Sequence, residues 1–284
     1  MGRFRVVVTA LAAVLVILAL GPTASAAEQG TNGYWLVAAD GGVFAFGDAE
    51  FYGSMGGQPL NAPIVGMAAT PQMDGYWLVA ADGGVFAFGA AEFYGSLGAA
   101  TLGKPILGIA ADPDGAGYWL AGSGGWVYGL GEPLLSYGIL PRAEPPNQYV
   151  GIAAVDSGEG FETVTSANCI FGFSALSDGV PHDCVPSQET IVGIAATPSG
   201  KGFVTIGSRA SKYSYGDASN FLGPASIIPN LNAPIVGGAL CGDDGIWYAA
   251  ADGGVFAFSP AEFHGSLGDV QLNAPIVGMA GICS

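Results

Sequence analysis

Short apolar runs, broken by Gly, Asp and Pro, fill the chain after its first thirty or so residues. The first set reads YWLVAA (Tyr34–Ala39), VFAFG (Val43–Gly47), EFYGS (Glu50–Ser54) and PIVGMAAT (Pro63–Thr70). Runs this short, rich in aromatic and β-branched residues and bounded by turn formers, predict strands. Asp40-Gly41-Gly42 joins the first two runs. Asp-Gly at such a junction supplies the positive φ that a tight hairpin requires. No segment beyond the apolar run Val6–Leu20 sustains a helical period. The class is all-β.

The pattern then recurs. GYWLVAADGGVFAF stands at Gly33–Phe46 and again at Gly75–Phe88, and GYWLAGSGGWVY stands at Gly117–Tyr128. Worn copies begin at Gly160 and Gly202, and a good copy begins at Gly245, so the starts are 42, 42, 43, 42 and 43 residues apart. Four short antiparallel strands at this period predict a β-propeller blade. PIVG-type strands occur at Ile64–Gly66, Ile106–Gly108, Tyr149–Gly151, Ile191–Gly193, Ile235–Gly237 and Ile276–Gly278. That count predicts a six-bladed propeller of four-stranded blades. The repeat region opens on YWLVAA and finishes on PIVGMAGIC (Pro275–Cys283). The C-terminal strand is therefore expected to complete the first blade and to remove an exposed sheet edge. The glycine in each PIVG-type strand is expected to relieve crowding near the axis, leaving a channel wall of Ala, Met, Ile and Val. Tyr34, Tyr76, Tyr118, Phe161 and Phe203, with Trp35, Trp77, Trp119 and Trp247 beside them, are read as packing between blades rather than as a ligand platform.

Arg3 and Arg5 precede Val6–Leu20, and Ala24-Ser25-Ala26 follows. That order is the order of a secretory signal peptide, which divides the chain into a signal at residues 1–26 and a single propeller domain at 27–284. Without Arg3 and Arg5 there remain 5 basic against 23 acidic residues, a net charge near −18. Such a surface repels phosphate backbones and anionic lipid, so neither nucleic acid nor membrane is an expected partner. One sign of charge also keeps a chain with only 11% charged residues dispersed, and a monomer is expected.

GYWLVAADGGVFAFG, AEFYGS and NAPIVGMAAT resemble the repeats of secreted actinobacterial proteins, in which arrays of this unit accompany cell-wall or other extracellular domains and are expected to form propellers. The resemblance covers about Gly33–Ser284, strongly in the first two copies and the last, weakly from Glu132 to Pro229. It implies an extracellular, non-catalytic module with no common catalytic motif to carry over.

Four cysteines permit three pairings, and blade geometry selects one. Cys169 falls in a hairpin turn and Cys184 in the loop leading to the next inner strand, on one face. Cys241 and Cys283 fall just past inner strands on the opposite face, in neighbouring positions. The expected bonds are Cys169–Cys184 and Cys241–Cys283.

Chemistry-bearing residues are few. His264 stands where the other good copies have Tyr52 and Tyr94, and reads as a substituted outer-strand residue. Asp112-Pro113-Asp114-Gly115 and Asp243-Asp244-Gly245 read as turns. Asp40, Asp82 and Asp252 belong to hairpin turns, and Glu50, Glu92 and Glu262 to the outermost run; neither set has the paired spacing that glycoside hydrolysis needs. No cofactor and no metal site is expected. Copies three to five depart most from the pattern, and all five basic residues beyond the signal fall between Lys104 and Lys212. Grafted loops are where propeller sites arise, so Arg142, Glu144, His182, Asp183, Arg209 and Lys212 are the candidate binding residues, with Glu162 in the same sector. The expected function is a secreted binding or scaffolding module for a glycan or an extracellular or cell-envelope protein. Alternatives are a glycan lyase or hydrolase over the channel, and a structural spacer.

Overall fold

Middle strands buried on both faces organise the fold. The computed structural model describes residues 32–131, 140, 148–155, 160–173, 184–185, 187, 189–220, 228, 230–242 and 244–283. The six middle strands are β1 (Asn32–Ala38), β4 (Gly75–Ala80), β7 (Gly117–Gly122), β10 (Gly160–Thr165), β13 (Gly202–Gly207) and β16 (Gly245–Ala250). Each is flanked by an outer strand that follows it through a hairpin: β2 (Val43–Gly47), β5 (Val85–Gly89), β8 (Val127–Gly131), β11 (Ile170–Phe173), β14 (Lys212–Gly216) and β17 (Val255–Phe258). On the other side lie the inner strands β3 (Ile64–Ala69), β6 (Ile106–Ala111), β9 (Tyr149–Val155), β12 (Ile191–Ala196), β15 (Ile235–Cys241) and β18 (Ile276–Cys283).

These strands make six antiparallel three-stranded sheets among the described residues. Sheets 2 to 6 take consecutive triplets, β3-β4-β5 through β15-β16-β17, and sheet 1 is β18-β1-β2. The pairing of β1 with β18 runs from Asn32 opposite Cys283 to Ala38 opposite Ile276. Inner strands touch in the series β3, β6, β9, β12, β15, β18, and β18 touches β3.

Six apolar clusters fill the gaps between sheets, one for each consecutive pair. Trp35 and Val37 of sheet 1 meet Tyr76 and Leu78 of sheet 2, and Trp247 of sheet 6 meets Tyr34 and Leu36 of sheet 1. The rings pair in the same way at four of the six joints: Trp35–Tyr76 at 5.4 Å, Trp77–Tyr118 at 5.5 Å, Trp119–Phe161 at 6.0 Å and Trp247–Tyr34 at 5.3 Å between centroids. Alternation along a strand sends Tyr34 to one face and Trp35 to the other, so each middle strand serves two joints. Burying one such ring contributes a few kcal/mol, roughly 2–3 on an area basis.

In sheets 1, 2 and 6 the run after the outer strand, EFYGS or EFHGS, does not join its sheet as a fourth strand. Residues 50–54, 92–96 and 262–266 make no ladder. Gly53, Gly95 and Gly265 have φ of +135°, +118° and +134°, which turns the chain out of strand geometry. Their backbone groups are instead met by aromatic side chains. The Trp35 indole donates to Glu50 O at 2.7 Å, and the Tyr76 hydroxyl of the next sheet donates to Gly53 O at 2.6 Å while accepting from Tyr52 N at 3.2 Å. The same three bonds recur: Trp247 donates to Glu262 O, and the Tyr34 hydroxyl donates to Gly265 O while accepting from His264 N. The expected fourth strand is thus a segment pinned to two sheets by rings.

Crowding, as expected, applies at Gly151, where an added Cβ would lie 3.0 Å from Ile194 Cγ2 and 3.3 Å from the Gly193 Cα, but the other inner-strand glycines have room. A Cβ added to Gly66 would lie 3.6 Å from the Gly108 Cα, and one on Gly278 would lie 3.7 Å from the Gly66 Cα, ordinary contact distances. Each of the six follows a β-bulge. Val65, Leu107, Val150, Val192, Val236 and Val277 are skipped in the pairing registers, so two residues oppose one. Each extra side chain packs into an intersheet cluster. The bulge bends the strand, and the residue after it is kept small.

Candidate functional site

Hairpins between middle and outer strands gather on one face, and they fall into two kinds. In sheets 1, 2 and 6, Asp40, Asp82 and Asp252 each accept a hydrogen bond at 3.0 Å from the amide two residues on. Gly41, Gly83 and Gly253 carry φ of +81°, +84° and +87°. These aspartates are turn formers, as their sequence context predicts.

Sheets 3 to 5 build the same turn from other parts. Asn168 and Ala210 occupy the left-handed position at φ +60° and +66°. In sheet 5 the turn is Ser208-Arg209-Ala210-Ser211, with Arg209 where Asp40 stands in sheet 1. The missing carboxylate is supplied by Glu189 from the preceding loop. It accepts from Ser211 N at 3.0 Å, from Ser208 Oγ at 3.2 Å and from Arg209 N. The Arg209 side chain is thereby left exposed at the turn. In sheet 4 the Cys169–Cys184 disulfide, with Cα atoms 4.0 Å apart, ties the hairpin to the following loop, and Val185 N donates to Asn168 O at 3.2 Å. The second bond joins Cys241 of β15 to Cys283 of β18, Cα atoms 5.2 Å apart. Both pairings agree with those read from blade geometry, and two disulfides fit an oxidising compartment. No helix among the described residues is long and apolar enough to cross a membrane.

Sheet 3 contributes what the sequence reading missed. Trp126 stands where sheet 1 has Gly42, and 43% of it is exposed. Its indole stacks on Tyr128 at 6.3 Å and 20°. Tyr128 thus packs along the indole, and the part it leaves uncovered meets solvent. Exposed Lys104 lies with its stem over Gly124 of the same turn. The available signal was a tryptophan at a position that is glycine in the good copies.

The other candidates divide. Arg142, Glu144, His182 and Asp183 lie outside the described residues. Lys212 opens β14 opposite Ile206, on the sheet face that packs toward sheet 6. It is half-buried, donates to Ser214 Oγ at 3.2 Å, and burial pulls its ammonium below the usual lysine range. Lys212 is therefore a half-buried charge on the joint side of its sheet, whereas Arg209 is exposed at the turn. Glu162 is fully buried at the position that is Trp in the good copies, so it belongs to the joint between sheets 4 and 5. His264 is pinned rather than catalytic in placement: its Nε2 lies 3.1 Å from Asn32 Oδ1 and its ring 5.9 Å from that of Tyr34.

At the axis lies a cavity of about 420 Å³, lined by alanines of all six inner strands (Ala68, Ala110, Ala153, Ala195, Ala239 and Ala280 among them). Polar side chains there come from Thr197 and Ser199, whose hydroxyls bond Asp217 at 2.9 and 2.5 Å. Met67 and Met279, expected on this wall, are buried between sheets instead. Asp112 closes one turn at the same end; it is buried, accepts from Ala116 N at 3.3 Å, and desolvation holds its carboxyl above the usual range. No group of three or more His, Cys, Asp or Glu residues is gathered among the described residues.

Six radially repeated antiparallel sheets of this kind define a β-propeller-like fold. No known family model matches the chain, and no curated protein matches it in sequence. Among solved structures it is similar to the β-propeller domain of Cps50 (Swd1) from Myceliophteria thermophila, at 10% identity and a TM-score of 0.54, over 83% of this chain and 82% of that one. It is also similar to U3-55K, at 12% identity and a TM-score of 0.50, over 72% of this chain. The match spans 63% of U3-55K, less than two thirds of its length. At such identities the likeness concerns the fold alone.

Proposed function

We propose that the chain is a secreted binding module, built as a six-bladed ring closed by β18 beside β1, and that its hairpin face over sheets 3 to 5 recognises a glycan. The ring is supported by the β1–β18 pairing and by an apolar joint between every consecutive pair of sheets, sheets 6 and 1 included. Secretion is supported by the residue order of positions 1–26 and by the two disulfides.

The observation that carries the glycan reading is Trp126. An indole braced by Tyr128 and 43% exposed offers a rigid apolar surface to a sugar ring, and Lys104 beside it and Arg209 in the same row of hairpins offer donors to hydroxyl or carboxylate groups. The alternative of a glycan-active enzyme over the axial channel finds less support: two hydroxyls among alanines do not supply the convergent acid and base that hydrolysis uses.

The test is binding of the chain from residue 27 onward to a glycan array and to envelope polysaccharide of the producing cell. Trp126→Ala and Arg209→Ala are expected each to weaken binding about tenfold, the loss of one well-placed contact, with thermal stability unchanged. Undiminished binding by both variants would overturn the site, and absence of any glycan bound by the wild-type chain would overturn the function.

A further inference from the structure

A second surface, independent of the hairpin face, lies along the outer rim of sheets 6, 1 and 2. Phe263, Phe51 and Phe93 occupy one repeat position there and are 59%, 55% and 57% exposed. They do not stabilise the joints between sheets; that work is done by the Trp–Tyr pairs beneath them. Yet they are held firmly outward. The carbonyl before Phe51 is bonded to the Trp35 indole, and the amide and carbonyl after it are bonded to the Tyr76 hydroxyl. A partner meeting these rings need not first order the backbone that carries them, which lowers the cost of association.

The three segments follow one another around the rim. Gly265 lies against the Phe46 ring of sheet 1, and Gly53 lies against the Phe88 ring of sheet 2. Each phenylalanine is preceded by an exposed glutamate: Glu262, Glu50 and Glu92. The surrounding charge has one sign. Residues 32–103 hold six Asp or Glu and residues 230–283 hold five, with no Lys or Arg in either stretch. Exposed rings spaced along an acidic rim match a partner of opposite character. A second copy of the same rim would set glutamate against glutamate, and anionic lipid would be repelled.

We propose that this rim docks a cationic peptide segment of another protein, one in which basic residues alternate with apolar side chains. The rings take the apolar side chains, and Glu262, Glu50 and Glu92 take the charges.

The probe is a synthetic peptide of alternating lysine and leucine, titrated calorimetrically at about 0.15 M salt, where the Debye length is about 8 Å. The triple variant Phe51→Ser, Phe93→Ser, Phe263→Ser is expected to weaken binding about tenfold or more. The triple variant Glu50→Gln, Glu92→Gln, Glu262→Gln is expected to weaken it comparably and to flatten its salt dependence. The triple variant Asp40→Asn, Asp82→Asn, Asp252→Asn removes the same charge from the hairpin face, and should change affinity less than about twofold. The proposal is overturned if the phenylalanine variant binds as the wild type does, or if the Asp and Glu variants lose equally, since diffuse charge would then suffice. It is also overturned if the phenylalanines prove necessary for self-association in sedimentation, or for binding to phosphatidylcholine vesicles. Unchanged denaturation midpoints in all three variants secure the comparison, and Phe93→Ser alone repeats it with a single exposed change.

Discussion

Sheets 6, 1 and 2 and sheets 3 to 5 perform the same construction with different materials. In the first group Asp40, Gly41 and Gly42 form the hairpin locally, from neighbours in sequence. In sheet 5 the corresponding amide is held by Glu189, more than twenty residues away. The Trp35 position becomes the buried Glu162, and the Gly42 position becomes the exposed Trp126. The geometry of a turn is thus the constraint, and the residue that satisfies it is free to change once another group supplies the bond. Regular sheets keep their solvent-facing turns as plain structure. The altered sheets release those positions for side chains that reach outward.

This comparison can be broken most decisively through the tryptophans. Trp77→Ala removes a fully buried ring packed at a tilt against Tyr118, and is expected to cost about 3–5 kcal/mol in urea unfolding. Trp126→Ala, at the exposed turn of sheet 3, should stay within about 0.5 kcal/mol of wild type. Similar losses from both would show that Trp126 is a core residue. A smaller contrast concerns the turns. Glu189→Ala leaves three donors without their acceptor and should cost about 2 kcal/mol, against about 1 for Asp40→Ala, which frees one. Equal losses would mean that the long-range carboxylate is incidental.

The smallest effect is in alkali. Burial pushes the Tyr118 hydroxyl up to about 12 from 10.0, partly offset by a hydrogen bond from the Tyr94 backbone. A group whose folded value is raised stabilises fully below its unfolded value, and the contribution is lost as pH rises through the folded one. Stability should therefore fall between pH 10 and about 12. Tyr118→Phe should start about 1 kcal/mol lower at neutral pH, having lost one hydrogen bond, and decline less steeply over that window. A parallel decline would place the alkaline sensitivity elsewhere.

Much of this architecture was legible in the sequence because its signals are periodic. The spacing of GYWLVAADGGVFAF fixed where middle strands start, and the direction of those strands fixed which cysteines share a face, so both disulfides followed. The EFYGS run reads as a strand by composition, yet its hydrogen bonds go to Trp35 and to Tyr76 of the next sheet, a partnership no local pattern announces. The inner glycines announced a special backbone, but crowding and a bulge leave the same letter in the sequence. For the site, Arg209 was legible as a departure from Asp-Gly-Gly. Lys212 looked equivalent three residues on, and only the pairing with Ile206 turns it inward. Trp126 was hidden by its type, since every other tryptophan in the repeat that was assigned a role is a core ring.

Asn32 faces Cys283 across one ladder, and Cys283 is bonded to Cys241. The points where the polypeptide enters and leaves the fold are therefore neighbours, fastened at a single spot. A load pulling on either of these two strands is therefore passed at once to its neighbour and, through the disulfide, to the sheet beside it.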